Sequence, residues 1–573
     1  MPVTAAVTDL DGAPGDSGAP VRQTAAARRS LPDFRDVAQS LAEEEHICAR
    51  PIPMRGFDHD AGTMTYVGAP CKSTVASVCP ACADKARFLR ITQSREGWHL
   101  TQEPELTKSK PTEHQTALLA ARSDLFETYQ QAKADGDQDM MFGIREVVAD
   151  LDAEMKESGF RGRLPDFDSE PKARRARSTR RRQDVPNLPR LKVEKTTIGR
   201  TYAGHQPSLF VTLTMPSYGA IHRDGAVNDK GETVGDGSPV DPESYDYRRA
   251  ARDVVHFSAL FDRWVQNLRR AVGWNVQYYA TVEPQKRGAP HLHILIRGTV
   301  SREIIRQVTA ATYHQVWWPP HDRDSEVYPA QVVPIWDPVK MTFTDPDTGA
   351  SLLAFDDVQD LLDDVEDLEP AHVVRFGDRM DRSAIKGMVP GPKADRTIGY
   401  VTKYLTKSIA EVLDTDSDRT RRHYDRLHQE LQHTPCSKRC PVWLRYGIVP
   451  EGATEKTIPG RCRSKAHRRD TLGLPGRRVL VSRQWSNKTL PDHKADRAEF
   501  VRQLLASVGI VKRDAPNLKL SVVKPGDKSA PPRDHLIMMA VAQRKVWRAE
   551  YTRALLEAGP PALQEHSAIP VAV

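Results

Sequence analysis

The run Ala289-Pro290-His291-Leu292-His293-Ile294-Leu295-Ile296 sets two histidines two positions apart in an otherwise apolar, strand-favouring segment. Side chains on a strand alternate with period two. His291 and His293 therefore project from one face, while Leu292, Ile294 and Ile296 project from the other. Such a strand offers a bidentate imidazole pair on a rigid apolar backing. Taken alone, His-x-His is more often two ordinary strand histidines, so the choice depends on the residues around it.

Working outward, residues 277–282 read as a preceding strand, and Glu283 stands at its end, just before the turn at 285–288. Neighbouring antiparallel strands bring their ends together, which makes Glu283 a third-ligand candidate. Mixed nitrogen and oxygen donors do not select one divalent ion, so the metal follows from the reaction. Further upstream, Val254, Phe257, Phe261, Trp264, Leu268 and Val272 line one face of a helix, and residues 209–215 form a β-rich run ended by Pro216. The order βαββ, continued by mixed elements to about 412, predicts an α+β domain with a central antiparallel sheet flanked by helices.

Residues 398–407 read Ile398-Gly399-Tyr400-Val401-Thr402-Lys403-Tyr404-Leu405-Thr406-Lys407. Continued as one helix, the segment puts Ile398, Val401, Leu405 and Ile409 on one side and Tyr400, Lys403, Tyr404 and Lys407 on the other. Two phenols and two ammonium groups make a poor core face and a good phosphate-facing one. A phenol has a reference pKa of about 10, so as a nucleophile it needs positive charge nearby. The lysines and an ion held by His291 and His293 would supply it. The expected chemistry is in-line attack on a phosphodiester, leaving a 3′ hydroxyl and a 5′ phosphotyrosine that retains the bond energy for rejoining. Tyr400 is either a second nucleophile for the terminating transfer or a packing neighbour of Tyr404.

The chain has 573 residues, 39% hydrophobic and 28% charged, with mean hydropathy −0.55. That length exceeds one ordinary core. No apolar run reaches the roughly 18 residues a membrane span needs, and the first residues lack a secretory pattern, so no membrane partner and a cytoplasmic location with reduced thiols are expected. The net charge of +7 and pI near 8.9 are concentrated rather than spread. Lys172, Arg174, Arg175, Arg177, Arg180, Arg181 and Arg182 form one basic run, and residues 461–469 and 477–483 form two more. A polyanion is the natural partner. An acidic insertion at about 340–372 is expected to lie away from DNA because it repels phosphate.

All seven cysteines fall into two groups. The first, Cys48-x22-Cys71-x7-Cys79-x2-Cys82, ends in a Cys-Pro-Ala-Cys knuckle typical of structural zinc, with His46 as an alternative ligand. The second is Cys436-x3-Cys440-x21-Cys462-x4-His467. Neither shows an open catalytic position, so both Zn²⁺ sites are assigned to folding and DNA binding. Arg477, Arg478, Arg483, Trp485 and Lys488 would extend the second module's contact surface through phosphate pairing and base stacking. The expected organisation is a disordered stretch at 1–35, a zinc-binding and helical region at 40–160, a basic linker at 161–204, the α+β domain at 205–412, and a zinc-binding, DNA-contacting region at 420–573.

On three motifs the chain resembles an HUH endonuclease and, within that superfamily, is similar to the rolling-circle replication initiators of actinobacterial plasmids and integrative elements. Phe210-Val211-Thr212-Leu213-Thr214 matches the first strand motif, His291-Leu292-His293 the metal motif, and the segment from Val401 to Lys407 the tyrosine motif. Together they cover about 205–410. Histidines precede the tyrosine, as in initiators and related transposases, whereas conjugative relaxases usually place the tyrosine first. The resemblance implies Tyr404 as the nicking nucleophile, Lys407 as a phosphate-positioning group beside Lys403, and Mg²⁺ or Mn²⁺ as the catalytic ion. It puts Tyr400 where some relatives use a glutamate for hydrolysis, which leaves the termination step open. It implies origin DNA, duplex and single-stranded, as partner. No Gly-x4-Gly-Lys-[Ser/Thr] loop is present, so a host helicase and replication machinery are expected to unwind the DNA. Two other readings are a transposase of the same superfamily and a non-catalytic, zinc-dependent DNA-binding regulator.

Overall fold

The computed structural model describes residues 31–59, 62–100, 102–104, 111–160, 164–168, 207–223, 235–329, 332–365, 367–377, 384–415, 417–474, 478–511, 518–524, 526–527 and 530–558. The N-terminal stretch expected to be disordered and the basic linker, with Arg174, Arg175, Arg180, Arg181 and Arg182, lie wholly or almost wholly outside the described residues.

The architecture mixes helices with small, mainly antiparallel sheets. Its centre is a five-stranded antiparallel sheet of β1 (Ser208–Thr214), β2 (Tyr278–Pro284), β3 (Pro290–Ile296), β4 (Ile385–Met388) and β5 (Val479–Val481), ordered β4-β1-β3-β2-β5. The edge strand β5 comes from beyond residue 420, so the sheet is completed by the C-terminal part of the chain. Helices α1 (Pro80–Gly97), α2 (Tyr247–Val272), α3 (Pro392–Lys403) and α4 (Asp418–His433) pack on or beside the sheet.

Period-two alternation sorts the sheet into two unlike faces. On one, Val211, Leu213, Val282, Leu292, Ile294 and Ile296 meet α2, whose Val254, Phe257, Phe261, Trp264, Leu268 and Val272 are all at most 2% exposed. Each such aromatic or aliphatic side chain contributes roughly 1.5–3 kcal/mol of transfer free energy. α2 starts where Asp246 accepts the Arg249 backbone N–H (2.9 Å) and stops at Gly273, which has φ +77°. On the other face, Phe210, Tyr279 and Leu295 are covered by Ile398 and Val401 of α3, by Trp98 just after α1, and by Trp485.

This second face is sealed by Arg297, the residue after β3, which is fully buried. Its guanidinium donates to the carbonyls of Gly97 and Trp485 (2.5 Å each) and Gln484 (2.9 Å), and pairs with Glu103 at 2.5 and 3.0 Å. A buried charge is tolerated when it is paired and all its donors are engaged. The N-terminal cysteine region and the C-terminal strand are thereby tied to one end of β3.

The chain's two ends also fold together. Ile52–Asp58, Thr63–Ala69 and Leu518–Val522 form a three-stranded antiparallel sheet. The C-terminal helix Arg533–Ala558 packs Ile537 and Val541 against Ala38, Ala42 and Ile47. The helical part of the 40–160 region comprises the helices Glu113–Asp135 and Gln138–Glu157, held together by Arg122 to Asp152 at 2.7 Å. A two-stranded ribbon, Ile335–Asp337 with Thr342–Thr344, leads into the acidic insertion, which holds the helix Phe355–Asp363. That helix buries Phe355 against Trp443 and Cys440 of the second cysteine region.

Candidate functional site

β3 runs between β1 and β2, so each histidine has two cross-strand neighbours. His293 is opposite Thr212 and Thr281, and His291 is opposite Thr214 and Glu283. Both histidines share the face of Phe210 and Leu295, as period two requires, and the Phe210 ring stacks on His293 at 5.5 Å. Thr212 Oγ1 is 3.1 Å from His293 Nδ1, which fixes that ring with Nε2 turned toward Glu283 at 3.9 Å. The two imidazoles are edge to face at 4.6 Å.

Burial sets the protonation of this cluster. It pushes His293 down to about 3, with His291 adding to the effect, and His291 down to about 4, with Arg287 adding to it. It raises Glu283 to about 7 against the pull of Arg478. The 3.9 Å approach of His293 to Glu283 is therefore no ion pair at neutral pH, because the imidazole is uncharged. Neutral imidazole is the ligating form. His291 Nδ1, His293 Nε2 and Glu283 Oε1 are buried and lack a hydrogen-bond partner within the protein. Such unpartnered buried polar atoms are costly unless something else engages them. A divalent cation would engage them, although their ligand atoms are not drawn within 4.8 Å of one another as those of the two cysteine clusters are.

The tyrosine segment lies across this face. Ile398 and Val401 of α3 are buried in its apolar layer with Leu405 packed alongside, and the Tyr400 ring is 5.2 Å from His293. The single helix expected through Lys407 is corrected here: α3 ends at Lys403, and Tyr404–Thr406 is a 3₁₀ turn. Two local features accompany the break. The Thr402 hydroxyl donates back to the Ile398 carbonyl (2.8 Å), and Ser408 caps a new turn, Ile409–Val412, by a reciprocal box with Glu411. Tyr400 and Tyr404 thus do not share one continuous α-helical face. Ile409 joins the core on the α2 side of the sheet. Lys403 and Lys407 are exposed, and the Tyr404 side chain is outside what the structure describes.

Two features that the sequence reading missed hold this segment. Arg478 donates from Nε to the Val282 carbonyl (3.2 Å) and from Nη1 to the Lys407 carbonyl (2.8 Å), pinning the tyrosine segment to β2. On the other side, the Ala76 backbone N–H donates to the Thr406 carbonyl at 2.7 Å, and Arg95 of α1 pairs with Asp395 of α3 at 2.9 Å. Both contacts come from the first cysteine region.

The cysteines converge as the spacing predicts. Cys48, Cys71, Cys79 and Cys82 bring their sulfurs within 4.8 Å of one another, and so do the ligand atoms of Cys436, Cys440, Cys462 and His467. His46 is not needed to complete the first set. Cys79 precedes Pro80 at the start of α1, and the Cys71 backbone N–H points at Cys48 Sγ (3.2 Å). In the second set, His467 Nδ1 lies 2.7 Å from the Leu431 carbonyl while Nε2 lies 3.3 Å from Cys440 Sγ. A backbone acceptor on one ring nitrogen leaves the other free to ligate, the usual outer-shell arrangement of a metal-bound histidine. Both donor sets fit Zn²⁺. Among the described residues, these two clusters alone gather three or more ligand atoms so closely.

The C-terminal basic residues separate. Arg483 is exposed, Arg477 lies outside the described residues, and Lys488 pairs with Glu96 (3.3 Å) and Asp496 (2.9 Å). Base stacking by Trp485 is overturned: its ring is fully buried, and its indole N–H donates to the Gln93 carbonyl at 2.9 Å. Among the described residues no helix is long and apolar enough to cross a membrane.

Residues 34–543 match a family model described as the replication initiator protein of pSAM2, RepSA. A replication initiator protein of Streptomyces ambofaciens is 26% identical over 237 residues, covering 38% of this chain and 45% of that protein, so the match spans less than half of that relative's length. No solved structure matches the chain. With the family model covering most of its length, the chain belongs to the RepSA family of replication initiator proteins.

Proposed function

We propose that the chain initiates rolling-circle replication by nicking and rejoining one strand at an origin, with Tyr404 as nucleophile and a divalent ion held by His291, His293 and Glu283. The observation that carries this reading is the group of three unpartnered polar atoms, His291 Nδ1, His293 Nε2 and Glu283 Oε1, on the sheet face crossed by the tyrosine segment. The bound Mg²⁺ or Mn²⁺ would supply Lewis-acid polarisation of the scissile phosphate.

The chain's own residues do the rest. Thr212 and Phe210 hold the His293 ring in one orientation, so little reorganisation accompanies the reaction. Lys403 and Lys407 stand exposed on either side of Tyr404 in sequence, where they would draw a phosphate and stabilise phenolate. The Tyr404 oxygen loses its proton to water and attacks phosphorus. The bond from phosphorus to the 3′ oxygen breaks, that oxygen takes up a proton as a 3′ hydroxyl, and the 5′ phosphate stays on Tyr404. Reversal by a 3′ hydroxyl reseals the strand without ATP. Host helicase and replication factors would act downstream.

The test is incubation of the purified protein with labelled single-stranded origin DNA and Mn²⁺ or Mg²⁺, followed by denaturing electrophoresis. The expected result is a metal-dependent protein-linked band, abolished in Tyr404→Phe and reduced at least about a hundredfold in His293→Ala, the usual effect of removing a catalytic electrostatic group. Full adduct in Tyr404→Phe rejects the nucleophile. Binding without cleavage across all metals and origin sequences leaves a zinc-dependent DNA-binding regulator.

A further inference from the structure

Behind the sheet, at the start of α2, lies a cleft of about 330 Å³ that the proposed chemistry does not use. Arg248, Arg249, Arg252 and Arg375 line it with His372 and Asp246. Four guanidinium groups around one small cleft repel one another unless acids or a ligand neutralise them, and Asp246, Asp253, Asp322 and Asp324 supply negative charge nearby. Asp246 is occupied as the α2 cap. Asp253 is fully buried, accepts the Tyr218 hydroxyl at 3.0 Å, lies 2.7 Å from His372 Nε2, and is 3.9 Å from Arg249. Asp324 reaches Arg248 only at 3.7 Å with its side chain 88% exposed, a pairing worth little in water. Arg375 lies over the Tyr313 ring. Burial and the neighbouring Arg248 hold Arg252 below the ordinary guanidinium range. Arg252 is itself spent on the wall, donating to the carbonyls of Ala371 (3.2 Å) and His321 (3.1 Å).

The cleft also adjoins residues at the same end of the sheet as the histidine pair. Tyr245, just before α2, reaches toward the Arg287 carbonyl (3.5 Å), and Arg287 donates to Met215 and Pro216 beyond β1. These residues form the β2–β3 turn and the end of β1, the same end of the sheet that carries Glu283 and His291. The α2 N-terminus adds its backbone N–H groups and partial positive charge on the opposite face.

We infer that the arginine cleft at the start of α2 is a second phosphodiester-binding site, which grips the DNA backbone as it rounds the β2–β3 end of the sheet. Arg248, Arg249 and Arg375 contact phosphate, and Arg252 shapes the floor. The inference rests on the proposed DNA chemistry only for the identity of the polyanion.

The test measures binding of fluorescein-labelled single-stranded and duplex origin DNA to the full-length protein by anisotropy across a NaCl series. Arg248→Gln, Arg249→Gln and Arg375→Gln are made singly and together, with the matching lysine variants and Lys340→Gln, an exposed site in the acidic insertion, as controls. Arg252 is left intact because it holds the wall. Removing one arginine–phosphate pairing should flatten the slope of log K against log salt by about 0.7 on single strands or 0.9 on duplex. The triple variant should show about three such steps on whichever form occupies the cleft, the lysine variants should keep most of the slope, and Lys340→Gln should change it least. Thermal melts identify any variant that has unfolded, and the single variants decide if the triple does not fold. An unchanged slope in folded glutamine variants overturns the inference, as does an equal flattening in the lysine and glutamine series. Saturable binding of inorganic phosphate that is absent from the triple variant, with the DNA slope untouched, also overturns it by making the ligand a free anion. Failure of the nicking reading is scored separately, by the Tyr404 adduct. Adduct with an unaltered slope sinks the cleft alone, and a flattened slope without adduct sinks the nicking alone.

Discussion

The two cysteine clusters use nearly the same ligand chemistry and brace different parts of the molecule. The Cys48, Cys71, Cys79, Cys82 cluster starts α1, and its surroundings reach the tyrosine segment through Ala76 to Thr406 and Arg95 to Asp395. The Cys436, Cys440, Cys462, His467 cluster sits where α4 ends, and its Trp443 and Cys440 bury Phe355 of the acidic insertion. One cluster therefore buttresses the face that carries the histidines, and the other anchors an acidic appendage. A zinc motif identifies a local staple; its role is decided by what the stapled segment is packed against.

The largest expected effect tests that division directly. Structural zinc sites contribute about 10–16 kcal/mol in isolated finger peptides, so breaking one should unfold its own neighbourhood. In Cys82→Ser, hydrogen exchange read by mass spectrometry should rise across 76–97 and 392–412 while 353–363 stays protected. In Cys440→Ser the pattern should reverse. Zinc content should fall by one ion per chain in each, matching one cluster of the two. The same exchange pattern in both variants would mean that the clusters form one cooperative unit, and the comparison would fail.

A smaller effect sharpens the first cluster's side. A Cβ built on Gly97 overlaps the Trp485 indole, and the Gly97 carbonyl accepts from Arg297. Overpacking of this kind typically costs about 1–3 kcal/mol. Gly97→Ala should lower stability by that amount in urea unfolding and loosen 392–412 before 353–363. A fall below about 0.5 kcal/mol would show that α1 docks on the sheet without close approach to Trp485.

How much of this was legible beforehand follows from range. The strand 290–296, the helix ending at 272 and the ligand groups were readable because period two, period 3.6 and cysteine spacing are local signals. The contact of Ala76 with Thr406 and the burial of Trp485 under Gly97 join residues more than 300 positions apart, and no spacing rule reaches that far. Trp485 next to Arg483 and Lys488 looked like a stacking residue because local composition was basic; its burial comes from β5 completing the sheet. One miss was avoidable. Ser408 and Glu411 form a capping box in plain sequence, which signals that the helix through Tyr404 must stop and restart. The histidine face lies between these cases: alternation placed His291 and His293 together, whereas the pinning of Lys407 by Arg478 needed the fold.

The smallest effect probes the second cluster's hold on the insertion. Lys438 lies between Asp356 at 3.7 Å and Glu451 at 3.5 Å, with its ammonium 5.3 Å from the Phe355 ring centroid. Its side chain is 47% exposed, so water competes for the charge, and such pairs are worth about 0.2–1 kcal/mol. Phe355, by contrast, is 1% exposed against Trp443 at 5.1 Å. If apolar burial holds the insertion, Lys438→Ala should cost no more than about 1 kcal/mol in urea unfolding and shift with salt, while Phe355→Ala should cost about 3–5 kcal/mol and be insensitive to salt. The reverse ranking would make the docking electrostatic. The insertion's carboxylates would then be bound to the second module by charge, and high salt alone should release them.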